Sequence, residues 1–225
     1  MEAPVERLAP KRHGLTALLV VGTVFFVTRA VARGAGIALG GPLATVAALG
    51  AVVAVNRAMG RGLASLGLGR PTPWGRFLIV FAGAFATTLL AGVVLLPRLL
   101  ESFGSTPSSG RFDYLQGNPW ALALSLVGVA WFAAAFGEEV VWRGFVLPHL
   151  ASLLGGGRGA WLAAVLAQAL AFGLLHHGAV GMIVATVIGL GYGICFWLGP
   201  RNLWPLILAH AIPDTISFVS MYRGG

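Results

Sequence analysis

The sequence predicts an all-α fold: a polytopic transmembrane helical bundle of about seven to eight spans. Three observations predict it. Hydrophobic residues make up 57% of the chain and charged residues only 10%, against about 25% charged in soluble domains. The apolar residues gather into runs of bilayer length, separated by short polar turns. Thirty-three glycines allow the close helix contacts that lipid-embedded bundles use.

Taken in order, Met1 to Gly14 is a polar tail with Arg7, Lys11 and Arg12, expected in the cytoplasm. Leu15 to Val27 is the first apolar run. Its basic flank and Ala30-Val31-Ala32 imitate a secretory signal peptide, but further spans follow and an uncleaved first span is preferred. Arg29 and Arg33 interrupt before a second run, Gly36 to Val55. Asn56 to Arg76 holds Arg57, Arg61, Arg70 and Arg76 with no acid. That is a cytoplasmic loop by the positive-inside rule, broken from the helices by Pro71 and Pro73. Phe77 to Leu96 is the third span. Pro97 to Asn118, rich in Ser, Gly and Pro and carrying Glu101 and Asp113, belongs outside.

Asn118-Pro119 reads as a helix start, and the fourth run descends from there towards Pro148. Gly155 to Arg158 turns inside. Trp161 to Leu175 rises and ends in His176-His177-Gly178. Val180 to Leu198 returns to a turn at Pro200-Arg201-Asn202, and Leu203 to Val219 is the last run. The organisation is a cytoplasmic tail over 1–14, N-terminal transmembrane helices and loops over 15–117, and a helical core over 118–220.

Fourteen Arg and one Lys against seven acids give a formal charge of +8. On a membrane protein such a surplus faces the cytoplasm and anionic lipid. No basic cluster lies on a soluble domain, so nucleic acid is not an expected partner. A single cysteine, Cys195, excludes an internal disulfide and a cysteine-built metal site. The expected location is the cell membrane, multi-pass, with the N-terminus cytoplasmic.

Four of the seven acids lie in polar segments. Glu138, Glu139 and Asp214 lie in apolar runs, where insertion scales put the cost of a charge at about 2.5–3.5 kcal/mol. In an α-helix adjacent residues point about 100° apart, so the two glutamates do not share a face. Glu139 and Arg143 stand at i, i+4 in the favourable order for an ion pair. Glu138 is then free to face a cavity, where a carboxyl group in apolar surroundings suits general acid/base work.

Two later runs carry His176 and His210. Phe172 can pack beside His176, and His210 and Asp214 can face one cavity, each pair at i, i+4. At a rise of about 1.5 Å per residue from the inside turns, Glu138 lies roughly 18–25 Å, His176 roughly 22–26 Å and His210 roughly 12–15 Å along its helix. These depths overlap once tilt is allowed, which predicts one shared site opening to the cytoplasm. Pro213 is expected to kink the last helix near it. His149 is expected at the interface, and His177 to be a core histidine bonded to a backbone carbonyl.

These residues resemble the CAAX protease and bacteriocin-processing family of intramembrane glutamic endopeptidases. EEVVWR, Glu138 to Arg143, matches that family's EExxxR and is followed by Gly144. FGLLH, Phe172 to His176, matches FxxxH. HAIPD, His210 to Asp214, matches HxxxN or HxxxD. The resemblance covers roughly Pro119 to Val219, with Trp142 where Phe is frequent and Asp214 where Asn is frequent. An ionised Asp cannot donate to an oxyanion as an Asn amide does, so Asp214 acts either protonated or by orienting His210.

The resemblance implies an endopeptidase cleaving a membrane-associated protein or peptide, with Glu138, His176, His210 and Asp214 catalytic. Glu139, Arg143 and Phe172 would support them, and neither cofactor nor metal is implied. The expected partners are membrane lipids and a substrate with a membrane-associated segment. Three other readings use the same residues: a zinc protease, for which there is no HExxH; a non-catalytic bacteriocin self-immunity or partner-binding protein of the same fold; and a proton-coupled transporter, for which there are no paired halves.

Overall fold

The computed structural model describes residues 11–104 and 110–224. Most of the N-terminal tail expected in the cytoplasm, and the middle of the Pro97–Asn118 segment, lie outside these residues. The architecture is all-helical, with no strand among the described residues. Seven helices follow the apolar runs. They are α1 (Lys11–Gly34), α2 (Gly40–Ala58), α3 (Trp74–Ser102), α4 (Pro119–Leu153), α5 (Arg158–Leu174), α6 (Gly178–Leu198) and α7 (Trp204–Arg223). Five of them, all but α5 and α7, are long and apolar enough to cross a membrane. The chain is a multi-pass membrane protein.

Local chemistry explains the boundaries. Asn118 caps α4, its Oδ1 accepting from the Ala121 amide at 3.0 Å, with Pro119 in the first turn, as the sequence predicts. At α1 the structure departs from expectation. Arg29 and Arg33 do not end the first helix, which continues to Gly34. A charged residue interrupts an apolar run without interrupting backbone hydrogen bonding.

Two stretches are π-wound: Leu90–Leu95 within α3 and Leu126–Val146 within α4. Each ends two residues before a proline, Pro97 and Pro148. A proline ring clashes with the carbonyl one turn earlier, and widening that turn relieves the clash while the helix continues. Hence α4 runs past Pro148 to Leu153.

The helices alternate in direction. One end of the bundle gathers the start of α1 and the turns α2–α3, α4–α5 and α6–α7. There Leu203 N donates to Gly67 O (2.9 Å), Asn202 Nδ2 to Arg70 O (3.0 Å) and Trp204 Nε1 to Gly69 O (2.9 Å). Gly144 of α4 passes so near this knot that a Cβ on it would stand 2.5 Å from the Leu66 carbonyl oxygen. Arg57, Arg61, Arg70, Arg76, Arg158 and Arg201 all lie at this end. The opposite end holds the α1–α2, α3–α4 and α5–α6 connections, tied by Arg29 Nη2 donating to Leu175 O at 2.7 Å.

α1 packs against α2 and the C-terminal turns of α4, as an integral member of the bundle. α4 is central, touching α2 and α7 extensively. Its inner face buries Val140, Arg143, Phe145 and Leu147 completely, together with Glu139.

Candidate active site

The widened part of α4 carries both glutamates and directs them differently. Glu139 is fully buried, and its Oε1 accepts from Arg143 Nη1 at 2.9 Å and from His210 Nδ1 at 3.0 Å. The first contact is the i, i+4 pair the sequence predicts. The second joins α4 to α7 and was not visible from spacing. Arg143 lies over the rings of Phe172 (4.7 Å to the centroid) and Tyr192 (5.3 Å). That placement adds cation–π attraction inside a buried site. Tyr192 is fixed in turn by a 3.0 Å hydrogen bond between its hydroxyl and that of Thr88.

Because an ionised carboxylate only accepts, the His210 nitrogen facing Glu139 carries the proton. His210 Nε2 then faces Asp214, with Oδ2 at 3.6 Å. That is an electrostatic contact rather than a hydrogen bond. The Tyr192 ring meets the imidazole edge-on at 6.1 Å. α7 runs through Pro213, which withholds an amide from the carbonyl of Ala209, next to His210.

Glu138 lines a cavity of about 650 Å³ together with His176, Trp142 and Phe172. His176 Nδ1 donates to the Phe172 carbonyl at 2.9 Å. That bond fixes the tautomer and leaves Nε2 as the acceptor. The Phe172 ring packs edge-on against His176 at 4.8 Å and against Trp142 at 5.7 Å. The departure from Phe at position 142 is thus absorbed by an aromatic contact. His210 and Asp214, expected to share one site with Glu138 and His176, do not line this cavity: they face each other and Glu139 between α4 and α7.

Three expectations are corrected here. The cavity opens beside the α1–α2 connection and the end of α5, opposite the arginine-rich turns, so it does not open towards the end read as cytoplasmic. The depth argument located the groups along their helices but carried no information about which end is open. His149 is buried rather than interfacial, bonded through Nδ1 to the Phe145 carbonyl at 2.7 Å and covered by α1 near Gly14. His177 is exposed at the cavity rim rather than in the core. The same cavity is lined by Phe25, Arg29 and Arg33 of α1, none of them singled out by a motif.

Residues 119–216 match the family model described as Type II CAAX prenyl endopeptidase Rce1-like. This segment, less than half of the chain, is similar to the CAAX endopeptidase family. All three motifs fall inside it, whereas α1 to α3 lie outside. Comparison with curated proteins and with solved structures found no match. That similarity supports a protease of the CAAX endopeptidase type, and the apolar helices imply a lipid environment. Among the described residues, no group of three or more His, Cys, Asp or Glu is arranged to hold a metal ion.

Proposed function

We propose that the chain is a glutamic intramembrane endopeptidase whose core spans 118–220. Glu138 and His176 would activate a water for attack on a peptide carbonyl. The observation that carries this reading is that both residues lie in the family-matched segment and line one cavity.

Glu138 has no local ion-pair partner of the kind Glu139 has, and it faces open space. His176 offers Nε2 as an acceptor, held by its bond to Phe172. A water between them gives one proton to Glu138 and attacks the scissile carbonyl carbon. The carbonyl oxygen becomes an oxyanion, Glu138 returns the proton to the leaving amine, and the amide bond breaks. His210 is locked through Nδ1 on Glu139 and lies outside the cavity lining, so its Nε2, in the doubly protonated form, would donate only to an oxyanion that the bound substrate extends towards α7. Such a donor is worth about 2.7–4 kcal/mol. Asp214 orients the ring through charge. Glu139 and Arg143 keep α4 and α7 in register.

The bundle end rich in arginine is assigned to the cytoplasm by the positive-inside rule, with the N-terminus there. The cavity mouth then faces the other side of the membrane. The substrate is a protein or peptide with a membrane-associated segment, cut near the outer membrane surface.

The test is Glu138→Gln, with membrane and secreted peptides compared between cells carrying wild-type and variant protein. One precursor should remain unprocessed in the variant, at unchanged protein level in the membrane. Full processing by the variant would refute the reading.

A further inference from the structure

The first two motifs, on α4 and at the end of α5, face a cavity that is closed on one side by α1, outside the matched segment. That wall carries Arg29 and Arg33, one turn apart on the same face, both lining the cavity with Glu138 and His176. Arg29 is half-buried and positioned by its 2.7 Å bond to the Leu175 carbonyl. Its charge reaches His176. Arg33 is exposed at the mouth.

Two guanidinium groups thus stand on one wall of the cavity, with Glu138 and His176 on its lining as well. The structure gives neither of them a carboxylate: the described residues contain no ion pair to Arg29 or Arg33. Arginine forks are the side chains that match carboxylate geometry. A cavity of about 650 Å³ falls within the range of pockets that enclose whole ligands. It has room for peptide on either side of a reacting bond.

We infer that Arg29 and Arg33 form a carboxylate-recognising subsite, selecting substrates with an acidic side chain or free C-terminal carboxylate a few residues from the scissile bond. This rests on the protease reading for its consequence in cleavage, but not for the binding itself. Arg29, held by Leu175, reads the group nearer the catalytic pair, and Arg33 draws the anion in from the mouth.

The experiment uses the full-length protein in zwitterionic lipid vesicles. The probes are fluorescent peptides with one apolar segment of about 20 residues, differing only in Glu against Gln beside that segment and in free acid against amide at the C-terminus. Binding is measured to Glu138→Gln protein and cleavage with wild type. The acidic or free-acid peptide should bind about tenfold or more tightly than its neutral twin, as charge-assisted hydrogen bonds give. Arg29→Gln/Arg33→Gln should erase that ratio, and Arg29→Glu/Arg33→Glu should reverse it towards peptides with Lys in place of Glu.

Equal binding of acidic and neutral peptides to the wild-type arginines overturns the inference, whether or not cleavage occurs. Arginine-dependent acid preference without any cleavage leaves the subsite standing and removes the protease reading.

Discussion

Glu138 and Glu139 are adjacent, chemically identical, and expected to respond oppositely to the same substitution. Glu139 is fully buried and holds Arg143 and His210 on one oxygen. Removing one partner from a buried ion pair costs about 3–5 kcal/mol, because the other charge is left uncompensated. Glu139→Gln should therefore lower unfolding stability in detergent by an amount of that order and lose activity with it. Glu138→Gln should lose activity at unchanged stability. A thermal or denaturant unfolding series on the two variants separates them, and equal stability would contradict the assignment. Asp214 belongs with neither. At 3.6 Å from His210 Nε2 it acts through space on a ring already fixed by Glu139, so Asp214→Asn should keep kcat/KM within about tenfold of wild type. The i, i+4 rule exposed the Glu139–Arg143 pair in the sequence. It could not expose the His210 contact, whose partners lie 71 residues apart, since no local spacing encodes a meeting of α4 with α7.

At the scale of the helix, the site depends on close crossings more than on individual side chains. α5 must bring His176 to the cavity, and Gly173 governs how closely it passes α6. A Cβ on Gly173 would stand 2.6 Å from the Met182 carbonyl oxygen and would collide with the Thr186 hydroxyl, which is bonded to that carbonyl at 2.7 Å. Gly173→Ala should separate α5 from α6 and cost about 1–3 kcal/mol, as overpacking does. Activity should fall further than stability, because His176 moves with α5. Adding Thr186→Ala removes one clash but not the backbone one, so it should restore stability only in part. Full restoration would show that the crossing is not set by backbone contact. Such crossings are poorly legible in sequence: glycine is abundant throughout the chain, and nothing local distinguishes Gly173 from Gly22, where an added Cβ meets nothing. Helix boundaries were legible where a cap declares them, as at Asn118. They are not legible at Arg29, where a charge in an apolar run does not break the helix, nor at Pro148, where a widened helix continues through.

Across the whole molecule, charge and cavity point in opposite directions. The all-helical membrane class is legible in composition, and of the three motifs expected to share one site, the first two bring Glu138 and His176 to one cavity while the third leaves His210 and Asp214 off its lining. The open end did not follow, because depth along a helix is the same number whichever end is open. In the structure the arginine-rich turns sit at one end of the bundle and the cavity mouth at the other. If the positive-inside rule orients this chain, the mouth faces away from the cytoplasm. Ala38 is exposed at the mouth and Gly159 is exposed at the arginine-rich end, where a new side chain meets no neighbour. With the native thiol removed by Cys195→Ser, Ala38→Cys should react with a membrane-impermeant maleimide in intact cells. Gly159→Cys should react only after the membrane is opened. The reverse pattern would turn the site to the cytoplasm, moving the substrate's cleavage site to that side while leaving the internal geometry of Glu138, His176 and His210 untouched.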